Sequence, residues 1–254
     1  MNTPAIPDFG RARGDSAHAD AAKGVGNSHD RVLHSPQAAH RHQHAQRPSY
    51  TAFVDARHVA ADARSITRRR LSNVVGFDDG PFDRARAGAK VLLVGAVCAR
   101  TRLDGVIAGQ VIKDGRNAAA RVTDLIRSSH FDRHIQAVLL NGIAFGGFNV
   151  VDIHALAAAL ARPVLVVARR LPRLGLIRDA LARLPGGARK WRLIERAGPM
   201  EPVAGVFVQR AGLSVREARD LLAATTLHGK LPEPLRLAHL IAGGITTGKS
   251  RGRA

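Results

Sequence analysis

The chain has 254 residues, of which 45% are apolar and only 4% aromatic, and its formal net charge is +19. This length is enough for one or two domains with a sizeable core. No run of about 18 apolar residues occurs, so we expect no membrane-spanning helix. The positive charge favours phosphate polymers or other anionic surfaces as partners, although a merely solvated arginine-rich surface would also account for it.

Cysteine content and the N-terminal sequence indicate where the protein works. Cys98 is the only cysteine, which excludes an internal disulfide and favours a reducing compartment. The first eight residues lack the basic and apolar regions of a secretory signal. We therefore expect a cytoplasmic protein, with Cys98 buried as a small apolar side chain inside the run Val91–Cys98.

Residues 1–68 differ in composition from the rest of the chain. They are rich in Ala, His, Arg, Asp, Ser and Gln, contain few large aliphatic residues, and show neither helical nor strand periodicity. Such a segment cannot bury enough apolar surface to fold by itself. We predict a disordered, basic and His-rich leader over residues 1–68, followed by one folded domain over residues 69–254.

Apolar periodicity after residue 70 predicts strands and helices in alternation. The predicted strands are 71–77, 90–99, 106–112, 135–140, 163–168 and 203–209, with a hairpin turn at 101–105. The predicted helices are 117–129, 150–160, 174–184, 214–227 and 232–242. Three antiparallel strands followed by right-handed parallel crossovers give an α/β fold, a mixed sheet with helices on both faces. This element order is that of the ribonuclease H-like fold.

Polar side chains stand where the predicted strands end. Asp78 and Asp79 close the first strand, Asp114 follows the third, and Asn141 closes the fourth. If the first and fourth strands are neighbours, Asp78 and Asn141 lie side by side, within reach of Asp114. Clustered carboxylates favour a bound cation, and Mg²⁺ prefers such oxygen ligands. The alternative is turn chemistry, since Asp-Gly and Asn-Gly are common turn dipeptides.

Three longer motifs carry a family resemblance. They are Gly76–Phe82 (GFDDGPF), Asn141–Ile153 (NGIAFGGFNVVDI) and Leu231–Ala242 (LPEPLRLAHLIA). In this order they resemble the endonuclease dU family, which is related to endonuclease V, and the resemblance extends over roughly residues 72–253. It implies a ribonuclease H-like fold and Mg²⁺- or Mn²⁺-dependent cleavage of DNA near deaminated bases, deoxyuridine in particular.

The resemblance also implies roles for individual residues. Asp78, or its neighbour Asp79, would be the metal ligand of the first strand. Asp114 would be the acid at the helix start, and Asn141 the ligand of the fourth strand. His239 would approach the metal from the C-terminal helix. The implied metal ligands are thus Asp78, Asp114 and Asn141, and the implied catalytic residues are Asp78, Asp79, Asp114 and His239.

Two departures from the family pattern leave an alternative open. The family carries a pattern like Asp-Gly-x-Asp-Ala-Thr after the third strand, whereas this chain has Asp114, then Asn117, and Ala in place of Thr. Asn141 is a neutral ligand where endonuclease V has an acid. Both changes reduce negative charge, so a catalytically weakened, nucleic-acid-binding relative is the alternative function. A small-molecule phosphoesterase is disfavoured by the charge and by the resemblance.

Several further residues are candidates for contact with DNA. Arg169 and Arg170 follow a predicted strand, and Lys249 and Arg251 form a basic tail; the alternative is exposed charge without function. Phe148 or Phe145 would contact a displaced base, or both belong to the core.

Gly243–Ser250 matches the spelling of a P-loop. A P-loop needs a strand before it and a helix after it. Here a predicted helix precedes the segment, so we reject a P-loop and expect no nucleotide cofactor.

Overall fold

The computed structural model describes residues 71–250. The predicted leader 1–68 and Arg251 lie outside the described residues. The strands are β1 Asn73–Asp79, β2 Lys90–Ala99, β3 Arg102–Ile112, β4 Ala137–Asn141, β5 Ala144–Phe145, β6 Asn149–Val150, β7 Val164–Ala168, β8 Glu201–Val203 and β9 Val206–Ala211. The helices are α1 Ala118–Arg127, α2 Ile153–Leu160, α3 Leu174–Ala182, α4 Gly187–Arg196, α5 Val215–Thr225 and α6 Glu233–Thr247.

Seven strands form one mixed sheet in the order β3-β2-β1-β4-β7-β9-β8. The first three strands pair antiparallel, and β4 and β7 then add in parallel beside β1. Strand β9 closes the series antiparallel to β7. This arrangement confirms the predicted ribonuclease H-like fold, with three antiparallel strands followed by parallel crossovers.

Helices cover both faces of the sheet, as predicted. Alternate side chains of a strand point to opposite faces, so Val75 and Phe77 of β1 pack in the cluster that contains α1 and α2. Val74 lies in the cluster that contains α5 and the start of α6. Cys98 is fully buried in that second cluster, where burial raises the pKa of its thiol to about 12. Among residues 71–250, no helix has the length and apolar character needed to cross a membrane.

The predicted hairpin between the second and third strands is present, but its turn is shorter than the predicted 101–105. Strand β2 ends at Ala99 and β3 begins at Arg102, so the turn consists of Arg100, with a left-handed φ of 59°, and Thr101. Gly105 lies inside the strand, where a side chain would collide with the Phe131 ring, because the nearest ring atom is 2.1 Å from an ideal Cβ. The glycine therefore marks a close packing contact and not a turn.

Further elements differ from the prediction. Residues 203–209, predicted as one strand, contain the turn at Ala204 and Gly205 that separates β8 from β9. The segment before α2 forms the small β5–β6 hairpin, so α2 begins at Ile153 and not at 150. Helix α4 was not predicted, and α6 continues five residues beyond the predicted end, to Thr247. The P-loop spelling therefore begins inside a helix, consistent with its rejection.

Candidate active site

A buried carboxylate stands at the end of β1 and contacts two other polar side chains. Asp78 is 4% exposed. Its Oδ2 accepts a hydrogen bond from Asn141 Nδ2 at 2.8 Å and lies 2.8 Å from His239 Nδ1. A carboxylate only accepts, so His239 Nδ1 carries the proton of that bond. We call Asp78, Asn141 and His239 the Asp78 centre; the structure brings these three predicted residues together.

The register of the sheet explains why these residues meet. Strands β1 and β4 are parallel, with Phe77 opposite Leu140, so Asp78 and Asn141 are the next residues at one carboxyl edge. Alternate residues of a strand share a face, so Asp78 lies on the same face of the sheet as Val74, four residues earlier. Helix α6 covers this face. His239 then lies on α6 one turn after Leu235, which is fully buried against the sheet.

Gly76 permits this close approach of α6. An ideal Cβ on Gly76 would lie 2.5 Å from the carbonyl carbon of Pro234 and 2.7 Å from the nitrogen of Leu235. These are backbone atoms, so they cannot move aside as a flexible side chain would. The first turn of α6 therefore rests directly on β1, and His239 is placed by this contact.

Asp79 points to the opposite face of the sheet and contacts a different structure. Its Oδ2 accepts a hydrogen bond from Gly146 N at 2.8 Å. Gly146 belongs to the segment Gly142–Asn149, which we call the glycine loop. Asp78 and Asp79 are thus not interchangeable. Neighbouring residues of a strand point to opposite faces, so Asp78 contacts Asn141 and His239, whereas Asp79 contacts the glycine loop.

Asp114 also binds the glycine loop. Its Oδ1 accepts from Phe148 N at 2.8 Å, and its backbone nitrogen donates to Gly146 O at 2.8 Å. Its Oδ2 lies 3.1 Å from Lys113 Nζ. Gly147 leaves room for the carboxylate, since an ideal Cβ there would be 2.5 Å from Asp114 Oδ1. Asp114 was predicted to lie within reach of Asp78 and Asn141. Within residues 71–250 it forms neither a hydrogen bond nor an ion pair with either of them.

A buried amide network, which sequence analysis missed, fixes the start of α1. Asn149 is fully buried; its Oδ1 accepts from Ala118 N, and its Nδ2 donates to Asn117 Oδ1 at 2.7 Å and to Ile112 O at 2.9 Å. Asn117, the amide at the family's second acidic position, thus has a structural partner. The available signal was an asparagine inside a short apolar segment.

Lys190 of α4 is a second residue that sequence analysis missed. It is buried, and its Nζ donates a short hydrogen bond to the backbone oxygen of Asp114. Burial lowers the pKa of this ammonium group. The contact ties α4 to the turn that carries Asp114, whose φ of 52° is left-handed.

The predicted DNA-contacting residues are distributed around this region. Arg169 and Arg170, which follow β7, and Lys249 are exposed. Phe148 is half-buried against Leu181 and Ile194 and their neighbours, and its contact with a base stays a prediction. Phe145 is fully buried in the core, so it is a core residue and not a base contact.

Burial is the main cause that raises the pKa of Asp79, from 3.8 to about 6. The hydrogen bond from Gly146 opposes this shift, and the charge of Asp78 adds to it. An acid whose folded pKa exceeds its unfolded pKa destabilises the fold by an amount that grows as pH rises from about 4 to about 6 and levels off above that. At neutral pH the ionised Asp79 carboxylate is therefore held in the fold at an energetic cost.

Asp79→Asn should accordingly stabilise the metal-free protein more at high pH than at low pH. Asn keeps an oxygen for Gly146 N but carries no charge. We expect a gain in the free energy of unfolding about 2 kcal/mol larger at pH 8 than at pH 4, measured by urea denaturation in EDTA. Asp83→Asn, which removes an exposed carboxylate, is the control and should show no such trend. An equal effect at both pH values would contradict the assignment.

His239 titrates under the influence of Asp78. The hydrogen bond to Asp78 raises its pKa above 6.5, while partial burial and the nearby charge of Arg169 lower it. The His239–Asp78 contact therefore contributes stability below pH 6.5 that is lost as pH rises through the raised pKa. NMR titration of the imidazole in EDTA should give a pKa above 6.5, and Asp78→Asn should lower it. An unchanged pKa in the variant would show that the two groups are not in contact.

The Asp78 centre offers one carboxylate, one amide and one imidazole. Among residues 71–250, no group of three or more His, Cys, Asp or Glu side chains is arranged to hold a metal ion. Asn141 accounts for this in part, since an amide occupies the position beside Asp78. Any cation bound here would need further ligands from water or substrate.

The sheet order and the polar centre at its carboxyl edge place the chain among the ribonuclease H-like proteins. The sequence profile of the family described as Endonuclease dU matches residues 70–246. The chain belongs to this family, which confirms the resemblance.

The chain is also similar to curated relatives and to solved structures. A UPF0215 protein of Deinococcus radiodurans is 55% identical over 185 residues, covering 72% of this chain and 94% of the relative. A crystal structure of an Archaeoglobus fulgidus protein is similar at 32% identity and a TM-score of 0.66, covering 70% of this chain and 99% of that one. Human endonuclease V is more distantly similar, at 14% identity and a TM-score of 0.44 over 66% of this chain and 81% of that one.

Proposed function

We propose that the protein is a metal-dependent endodeoxyribonuclease that cleaves DNA at or near deaminated bases, deoxyuridine in particular. Membership of the endonuclease dU family supports the reaction class. The net charge of +19 supports a polyanionic substrate. The observation that carries the proposal is the Asp78 centre, in which Asn141 and His239 meet one buried carboxylate at the carboxyl edge of two parallel strands.

The donor set fits Mg²⁺ or Mn²⁺ held jointly by protein and substrate. Magnesium commonly binds through one or two carboxylates and completes its shell with waters and substrate phosphates. Asp78 and the amide oxygen of Asn141 would hold the cation, with Asp79 behind them as a second negative charge. When bound, such a cation polarises a phosphate and makes water a better nucleophile at neutral pH. Asp114 orients the glycine loop beside them through Phe148 N.

His239 moves a proton in this proposal. Its Nδ1 is engaged by Asp78, which fixes the ring orientation and leaves Nε2 as the atom that meets substrate. Its side chain is half exposed, and the hydrogen bond to Asp78, which raises its pKa, favours the protonated ring. Nε2 would donate this proton to the oxygen that leaves when the phosphodiester bond breaks.

A specific observation favours the second candidate function, a nucleic-acid-binding relative with weakened catalysis. The Asp78 centre contains a single carboxylate, because position 141 is an amide. Asn117 is also an amide, and its oxygen is occupied by Asn149 and Ile112. Fewer negative charges mean weaker cation binding, so this function predicts DNA binding without cleavage.

The experiment compares two end-labelled duplexes that differ only by deoxyuridine in place of one thymidine. The wild-type chain is incubated with each in Mg²⁺, and strands are separated without alkali or heat treatment, so that base removal alone leaves them intact. We expect nicks near deoxyuridine and none in the thymidine duplex. Binding of both duplexes without nicks would support the second function, and equal nicking of both would contradict the proposed selectivity.

A further inference from the structure

We infer that the exposed face of the α3–α4 segment is the surface on which the phosphate backbone of double-stranded DNA docks, an inference that rests on the proposed function. Arg169 and Arg170 supply only part of the positive charge of this segment, and the C-terminal tail supplies none of it. The surface lies on two helices, of which the second was not expected from the sequence.

Basic side chains dominate residues 169–196. The segment has nine basic residues and two acidic ones, and all eight of its arginines are exposed. These arginines are Arg169, Arg170, Arg173, Arg178, Arg183, Arg189, Arg192 and Arg196. Among the described contacts only Arg196 forms an ion pair, with Asp152. A field of uncompensated arginines attracts phosphate oxygens.

Helix α4 has two distinct faces. Gly187, Lys190 and Ile194 are buried and share one side of the helix. Arg189 and Arg192, spaced three residues apart, lie on the other side and are exposed. The buried side anchors the helix to the domain, so the side that carries Arg189 and Arg192 is available to a partner.

The anchored side of α4 connects this surface to the candidate active site. Lys190 Nζ donates to the backbone oxygen of Asp114. Phe148 of the glycine loop packs in the cluster that contains Leu181 of α3 and Ile194 of α4. The glycine loop thus packs against the buried side of the same helix whose exposed side carries Arg189 and Arg192.

An anionic membrane is the other partner that such charge fits, and the apolar side chains disfavour it. A helix lying in a membrane interface exposes an apolar face opposite its basic face. In α4 the large aliphatic side chains Leu193 and Ile194 pack into the domain. Leu171 and Leu176 are exposed, but two leucines do not form a continuous apolar face.

The test measures the salt dependence of duplex binding in EDTA, where cleavage does not interfere. Arg189→Gln with Arg192→Gln removes two charges from α4. The control, Arg216→Gln with Arg219→Gln, removes two exposed charges at the same spacing from α5, which packs on the other side of the sheet. Each lost phosphate contact lowers the slope of log K against log salt by about 0.9. We expect the α4 variant to lose about 1.8 and the α5 variant to keep the wild-type slope.

The outcomes separate this inference from the proposed function. Wild-type binding with equal slopes in both variants would overturn the inference alone. Absence of salt-dependent DNA binding by the wild-type chain would overturn both. Vesicles containing phosphatidylserine serve as a third ligand: if the α4 variant weakens vesicle binding but leaves DNA binding intact, the surface fits a membrane and the inference fails. If the α4 variant has the smaller salt slope but the wild-type chain does not cleave DNA in Mg²⁺, the docking surface is supported and only the proposed catalysis fails.

Discussion

Asp78→Asn is expected to lower the rate of nicking at deoxyuridine by roughly three orders of magnitude or more. The variant keeps the size of the side chain but removes the one carboxylate of the Asp78 centre. It therefore removes the charge that would hold a cation and leaves His239 a neutral amide oxygen in place of a carboxylate. Single-turnover nicking with excess protein measures this rate, and duplex binding in EDTA should stay within about twofold of wild type because the arginine surface is unchanged.

Asp124→Asn provides the matched control for this comparison. Asp124 is an exposed acid on α1, so the substitution makes the same change in charge away from the Asp78 centre. Its nicking rate should equal that of the wild type. If the wild type and Asp78→Asn nicked DNA at equal rates, Asp78 would not belong to the active site, even if the protein is a nuclease.

Gly76→Ala is expected to destabilise the fold and to reduce activity together. The added methyl group meets the backbone of Pro234 and Leu235 at 2.5–2.7 Å, so α6 must move away from β1. Overpacking of this kind costs about 1–3 kcal/mol in the free energy of unfolding. A shift of about 1 Å in His239 relative to Asp78 is enough to slow nicking by roughly a hundredfold. Urea denaturation and single-turnover nicking measure the two effects.

Gly175→Ala makes the same chemical change where there is open space. Gly175 lies in α3, and an ideal Cβ there has no neighbour within 4 Å. Alanine should stabilise the helix by about 0.5–1 kcal/mol and leave nicking unchanged. If Gly76→Ala behaved like Gly175→Ala, the close contact between α6 and β1 would not determine the position of His239.

The parts of the site that follow from strand order were predictable. Once β1 and β4 are recognised as parallel neighbours, their carboxyl ends must coincide, and Asp78 and Asn141 become adjacent. His239 was predicted only through the family resemblance, because the position of α6 depends on a packing contact at Gly76. A glycine in a strand signals close approach of another backbone, but it does not say which one.

The parts that depend on the glycine loop were not predictable. Asp79 and Asp114 were grouped with Asp78 because all three are acids at strand ends. Their partners are backbone nitrogens of the glycine loop, whose left-handed φ values at Gly146 and Gly147 orient those nitrogens. Such backbone geometry leaves no pattern that identifies its partners in advance.

Helix α4 was missed for a different reason. Its sequence follows Pro185-Gly186 and contains four basic residues among ten, so few apolar residues mark its buried side. A lysine fills one buried position, because Lys190 has a backbone carbonyl as partner. Burial of a charged side chain is determined by such tertiary contacts and not by local sequence.

A magnesium titration tests whether the Asp78 centre cleaves DNA with a divalent cation. The nicking rate of the wild-type chain on a deoxyuridine duplex is measured from EDTA through increasing Mg²⁺, beside duplex binding under the same conditions. We expect no nicking in EDTA and a rate that rises and saturates with Mg²⁺. A rate that is the same in EDTA, or bound duplex that stays intact at every Mg²⁺ concentration, would rule out metal-dependent cleavage at the Asp78 centre.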